Sequence, residues 1–169
     1  MSAASDVRKN FSMFVDGRGM AGQVEEFNAP ELVKMGEEYR GGGMVAPVFI
    51  SMGLEALTAS FSLIKYDRDT LALFGVVAGK QANFIGREVL ESHDGTIKGV
   101  VHTMRGEIKS LKPGSSKAGE KALLEVEVAL TYYKLEHSGQ VVQEIDVENM
   151  VHIVGGVDQL AQQRSALGM

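Results

Sequence analysis

The chain has no cysteine and no tryptophan. Without cysteine it has no disulfide, no thiol nucleophile and no thiolate metal site, and its redox compartment stays open. Proline is scarce at three residues while glycine reaches 20. Disordered low-complexity chains are rich in proline and glycine together, so these glycines belong to turns and kinks. No stretch approaches the roughly 18 consecutive apolar residues of a membrane span. Basic charge is also short: 17 Lys and Arg stand against 22 Asp and Glu, a net charge of −5. Tight sequence-neutral DNA binding needs clustered cations at the phosphates, which this balance does not supply. It suits a surface that must avoid adhering to DNA. Met1 to Asn10 carries Arg8 and Lys9 but no apolar run, so no signal peptide is expected and synthesis in the cytosol is.

Signatures of catalysis are missing as well. "GSSKAGEK", Gly114 to Lys121, has glycines at P-loop spacing, but Glu120 stands where the lysine is needed and Ala122 where a Ser or Thr should hold magnesium. It reads as a polar hairpin loop after Pro113. Gly41 to Gly43 fits no dinucleotide fingerprint. His93, His102, His137 and His152 stand too far apart in sequence for a zinc pair and read as ordinary solvated or hydrogen-bonded residues of strands and turns. No G-x-S-x-G elbow occurs, and the pairs Glu25-Glu26 and Glu37-Glu38 read as solvated faces. No cofactor, metal or catalytic residue is expected.

What is present is alternation. A length of 169 residues with 44% apolar side chains describes one globular domain, residues 1–169, with a core of its own. Phe11, Met13 and Val15 alternate with polar residues before Asp16-Gly17, a hairpin turn pair. Val24 to Lys34 is a weaker extended stretch, interrupted by Pro30 and suited to an edge. Leu57, Ala59, Phe61 and Leu63 alternate with Thr58, Ser60 and Ser62 as a half-buried strand. In Asp67 to Phe74 the period changes: Asp67 or Asp69 can cap a short helix with Leu71 and Phe74 on one face. "ANFIGREVLES" and "TIKGVVHTMRGEIKS" form a hairpin through Ser92 to Gly95. Ala122 to Glu136 predicts the longest strand, with Leu124, Val126, Val128, Leu130 and Tyr132 on one face. At about 3.4 Å per residue it would span about 50 Å. Ser138-Gly139 turns into "QVVQEI", and Val157 to Leu167 has helical spacing.

One segment resists a plain reading. "EEYRGGGMVAPVFISMG", Glu37 to Gly53, joins a glycine run to an apolar run. Several of the nine methionines sit near glycine: Met20, Met35, Met44, Met52 and Met169. Methionine is a deformable filler in cores and at adaptable contact surfaces. For Met44 and Met52 the flanking glycines favour a surface loop, and a surface loop carrying Val45, Pro47 and Phe49 is a candidate interface.

"EEYRGGGMVAPVFISMGLEA" and "GEKALLEVEVALTYYKLEHSGQVVQEIDVENMVHIVGGVDQLAQQRSALG", with the looser "FVDGRGMAGQV", stand in the order found in a known family. The chain resembles the major tail tube proteins of contractile-tailed phages and of R-type pyocins. That resemblance implies a mainly β, antiparallel sandwich or barrel-like fold with one short helix and a helical C-terminal tail, assembling into a hexameric ring with a shared inner β-barrel. It implies a non-enzymatic structural role in a virion tail, assembled in the bacterial cytoplasm. Implied partners are the protein itself, a tail sheath protein, baseplate tube-initiator proteins, a tail terminator and a tape-measure protein. DNA would pass through the lumen without specific binding, and no membrane insertion is implied. Residues 37–53 are then expected to be a flexible inter-subunit loop and 157–169 a C-terminal arm. Tyr39, Arg40, Gly41, Gly42, Gly43, Met44, Val45, Ala46, Pro47 and Phe49 are the candidate contacts, the glycines serving as a hinge. Glu125 and Glu127 are expected on a polar surface facing the lumen or the sheath. The tube protein of a type VI secretion or other injection system is the alternative, and a small-ligand β-barrel enzyme a remote third.

Overall fold

The computed structural model describes residues 3–169; the first two residues of the Met1 to Asn10 stretch lie outside them. Twelve strands and two short helices follow in chain order. Strand β1 is Val7–Val15, β2 Arg18–Gly19, β3 Val24–Asn28, β4 Lys34–Tyr39, β5 Val48–Leu54 and β6 Thr58–Leu63. After helix α1 (Arg68–Ala72) come β7 Ala82–Glu91, β8 Ile97–Lys112, β9 Leu124–His137, β10 Gln140–Asp146, β11 Val151–Val154, β12 Val157–Asp158 and helix α2 (Ala161–Ala166). No described helix is long and apolar enough to cross a membrane.

Ten strands make one antiparallel sheet, ordered β12-β11-β10-β9-β8-β7-β1-β2, with β3 and β6 branching from β9. Strand β9 is long enough to serve two neighbours on one edge: β6 pairs its first half and β10 its second, while β8 runs along the other edge. The expected turns are in place. Asp16-Gly17 and Ser138-Gly139 both have positive φ, the geometry of a two-residue turn whose twist matches its strands.

The sheet folds over itself. Met13 and Val15 of β1 are separated by three intervening strands from Phe61 and Leu63 of β6, yet all four are buried in one cluster. Phe61 and Phe84 meet across it with ring centroids 5.9 Å apart. Phe84, Met104, Leu124, Val126 and Val128 complete a core that almost excludes solvent. Strand β3 closes one side, where the Phe27 ring lies against Gly86; a Cβ there would come within 2.6 Å of that ring.

Four expectations change. The longest strand is β8, at 16 residues, and not β9, at 14. Tyr132 does not continue the inward face of β9: residues up to Leu130 alternate, but it is Tyr133 that is buried. The register against β8 jumps from Gly106↔Leu130 to Arg105↔Tyr132, leaving Thr131 as a bulge that reverses the alternation beyond it. Phe74 is exposed, and Leu71 and Leu73 pack on the core instead. Val157–Asp158 pairs with β11 as a strand, so helix begins only at Ala161. There Arg164 donates to the Met150 carbonyl and pairs with Asp158, tying α2 to the sheet.

The cap of α1 yields a pH prediction. Buried Asp67 accepts from the Thr70 hydroxyl at 2.6 Å and the Thr70 amide at 2.9 Å, and Arg18 and Lys65 flank it. The Thr70 hydroxyl, aided by the Thr70 amide, Arg18 and Lys65, holds the carboxyl down from 3.8 to about 2 against the opposing effect of burial. A depressed carboxyl stabilises the fold above its unfolded value and loses that contribution as pH falls through the folded value. The shift corresponds to about 2 kcal/mol. Urea midpoints should therefore fall between about pH 4 and pH 2, and Asp67→Asn should flatten that limb; an unchanged acid profile in the variant refutes the assignment.

Candidate functional site

Strands β4 and β5 stand apart. They pair only with each other, as a two-stranded ribbon separate from the main sheet. An isolated hairpin is at best marginally stable in water, so a ribbon this apolar needs a covering surface. Met35, Tyr39, Val48, Phe49, Ile50 and Met52 are all exposed, several by half or more, and Val45 at the tip is 95% exposed. At the base the Glu55 amide donates to the Val33 carbonyl. A register shift between Met35 and Gly36 kinks β4, and the Phe49 ring lies over Gly36.

The segment 37–53 is thus mostly strand rather than flexible loop, and its glycines lie at the tip rather than at a hinge. Tyr39 pairs with Val48, leaving residues 40–47 as the connection. That connection is folded. The Met44 amide donates to the Gly41 carbonyl at 3.3 Å, the Gly41 amide points at the Met44 sulfur at 3.1 Å, and Arg40 Nε donates to the Met44 carbonyl at 3.1 Å. Gly43 takes a positive φ of 84°, which explains a glycine there. The ten candidate contact residues, Tyr39 to Pro47 and Phe49, are therefore brought together at the outer half of one ribbon. Of the methionines near glycine, Met35, Met52 and Met169 are exposed, whereas Met20 is a core residue.

Glu125 and Glu127 lie elsewhere, on the outer side of β9. They alternate with buried Leu124, Val126 and Val128. Glu125 is exposed; Glu127 is half-buried and pairs with Lys109 at 3.3 Å.

Sequence reasoning missed a buried polar chain. Nε2 of His102 lies 3.0 Å from Glu88 and Nδ1 lies 3.0 Å from the Tyr133 hydroxyl, with all three residues under 10% exposed. With a carboxylate at Glu88, a neutral imidazole satisfies both contacts if Nε2–H donates to Glu88 and Nδ1 accepts the tyrosine proton. Burial, with the Glu88 charge, pushes the Tyr133 phenol up to about 12. His102 stands opposite Gly86, so Glu88 is its diagonal cross-strand neighbour only once register is known, and Tyr133 faces them only because of the bulge. Tyr133→Phe should cost about 1–2 kcal/mol in urea unfolding, the price of stripping a buried partner from His102; a loss below about 0.5 kcal/mol would show the chain to be dispensable. Among the described residues no group of His, Asp or Glu is arranged to hold a metal ion.

Residues 7–168 match the family model described as phage tail tube protein FII. The chain belongs to the phage tail tube protein family. The tail tube protein of Escherichia phage P2 is 31% identical over 166 residues, covering 95% of this chain and 96% of that one. The major tail tube protein of Serratia phage KSP20 is 28% identical over 144 residues, covering 84% and 83%. A chain in the cryo-EM structure of the anti-feeding prophage baseplate superposes with a TM-score of 0.49 at 12% identity, over 75% of this tail tube protein and 90% of that chain. The resemblance to major tail tube proteins of contractile-tailed phages is borne out, and with it a structural role in a virion tail.

Proposed function

We propose that this tail tube protein forms hexameric rings that stack into the inner tube of a contractile tail, with β4 and β5 as the joint between subunits. The observation that carries the reading is a ribbon of exposed Tyr39, Val48, Phe49, Ile50 and Met52 whose two strands, among the described residues, pair only with each other. A heterologous contact repeated from ring to ring grows a filament, since the donor and acceptor surfaces differ and neither is used up. Strand β3 pairs β6 on one edge and no described strand on the other, so the sheet can continue into a neighbouring subunit and close a barrel without exposed edges.

Contraction of a surrounding sheath then drives the tube through the target envelope. The lumen passes DNA, which an acidic wall bearing Glu125 and Glu127 would not hold. The partners are further copies of the chain, the sheath subunit, baseplate tube-initiator proteins, a tail terminator and a tape-measure protein, assembling in the host cytoplasm. Negative-stain microscopy of the purified protein should show rings or tubes with a central hole. A particle that stays monomeric at every concentration tested contradicts the reading.

A further inference from the structure

The outer face of β3, β6, β9 and β8 carries two polar rows in strict register. Glu26, Ser62, Glu125 and Lys112 form one; Asn28, Ser60, Glu127 and Ser110 form the next. Together they line a cleft of about 270 Å³. Ser62 points away from the core, because its neighbours Phe61 and Leu63 point into it. It is nevertheless only 6% exposed, and its hydroxyl oxygen has no hydrogen-bond partner among the described residues. Buried polar atoms are seldom left so, and each such case calls for a missing partner.

The flanking charges indicate what that partner is. Glu26 and Glu125 stand on either side of Ser62. Among the described residues Glu26 accepts from the Asn28 amide alone, and Glu127 already holds the Lys109 ammonium. Three carboxylates against Lys109 and Lys112 leave one negative charge in surplus. Strand spacing sets the Glu26 and Glu125 backbones roughly 9.6 Å apart. A primary ammonium has three donors, enough for the hydroxyl and both carboxylates.

We propose that the cleft over Ser62 binds a primary ammonium group between Glu26 and Glu125, donating one hydrogen bond to the Ser62 oxygen. The group comes either from a free aliphatic polyamine or from a lysine of a second copy of the chain. The site does not require that tubes form. Calorimetry of the full chain with putrescine, beside a magnesium chloride titration at matched ionic strength, reads the first source. Carbodiimide cross-linking of mixed isotope-labelled and unlabelled chains, mapped by mass spectrometry, reads the second. Expected is saturable putrescine binding weakened at least tenfold by Glu125→Gln and about threefold by Ser62→Ala, or an intermolecular link from Glu26 or Glu125 to lysine that is lost or weakened in Glu125→Gln. Should Ser62→Ala misfold, Glu125→Gln alone decides, its position being exposed. Absence of both signals overturns the proposal, as does binding indifferent to these substitutions or equalled by magnesium.

Discussion

A chain in which Asn-Gly replaces residues 40–47 is expected to fold normally and to build no tubes. The ribbon tolerates the change because Tyr39 and Val48 are already a cross-strand pair, and a two-residue Asn-Gly turn closes such a pair with the right twist. Nothing in the core touches the tip, so circular dichroism and the thermal midpoint should match the parent within a few degrees. What is lost is Met44, Val45 and Pro47 at the far end of the joint. Phe49→Ser keeps the tip and removes one anchor instead; burying a large aromatic side chain contributes on the order of 2 kcal/mol, so its assembly threshold should rise at least tenfold in protein concentration. Normal tubes in micrographs of the tip replacement would remove the ribbon from the assembly.

Gly106→Ala is expected to be the most damaging single substitution in the sheet. A Cβ at Gly106 would lie 2.0 Å from the Ala129 carbonyl oxygen, 2.8 Å from its carbon and 2.9 Å from the Leu130 Cα. All three are backbone atoms of the partner strand beside the Thr131 bulge, so no rotamer change can make room. Relief requires β8 and β9 to part where they pair. Overpacking costs typically 1–3 kcal/mol, and with only backbone to yield the cost here should reach about 3 kcal/mol or more. For a chain of this size that lowers the thermal midpoint by about 6–12 °C. Gly99, on the same strand, has nothing within 4 Å of its absent Cβ, so Gly99→Ala is the matched control and should shift the midpoint little. Equal effects at the two positions would refute the steric account.

The bulge is also where sequence and structure part company. Period-two alternation identifies Leu124, Val126, Val128 and Leu130 as inward-facing because each stands two residues from the next. One extra residue at Thr131 leaves the apolar pattern almost intact while moving Tyr132 out and Tyr133 in. Nothing in "ALTYYKL" announces it. The ribbon shows the opposite kind of error: "GGG" suggested slack, whereas the hydrogen bonds between Gly41 and Met44 close a defined turn. Glycine permits a mobile backbone and a tight one equally, and local composition does not distinguish them.

The sequence by itself determined an antiparallel β domain, most of its hairpin turns, a helix cap at Asp67 or Asp69 and the family, because each of these is written in neighbouring residues or in their order along the chain. Only the tertiary structure decided that β9 serves two partners, that Glu88, His102 and Tyr133 meet, that Ser62 lies between two carboxylates, and that β4 and β5 leave the sheet as a free ribbon. Those depend on which strand lies beside which. Pairing between residues distant in sequence is set by register and burial over the whole sheet, and no local pattern carries it.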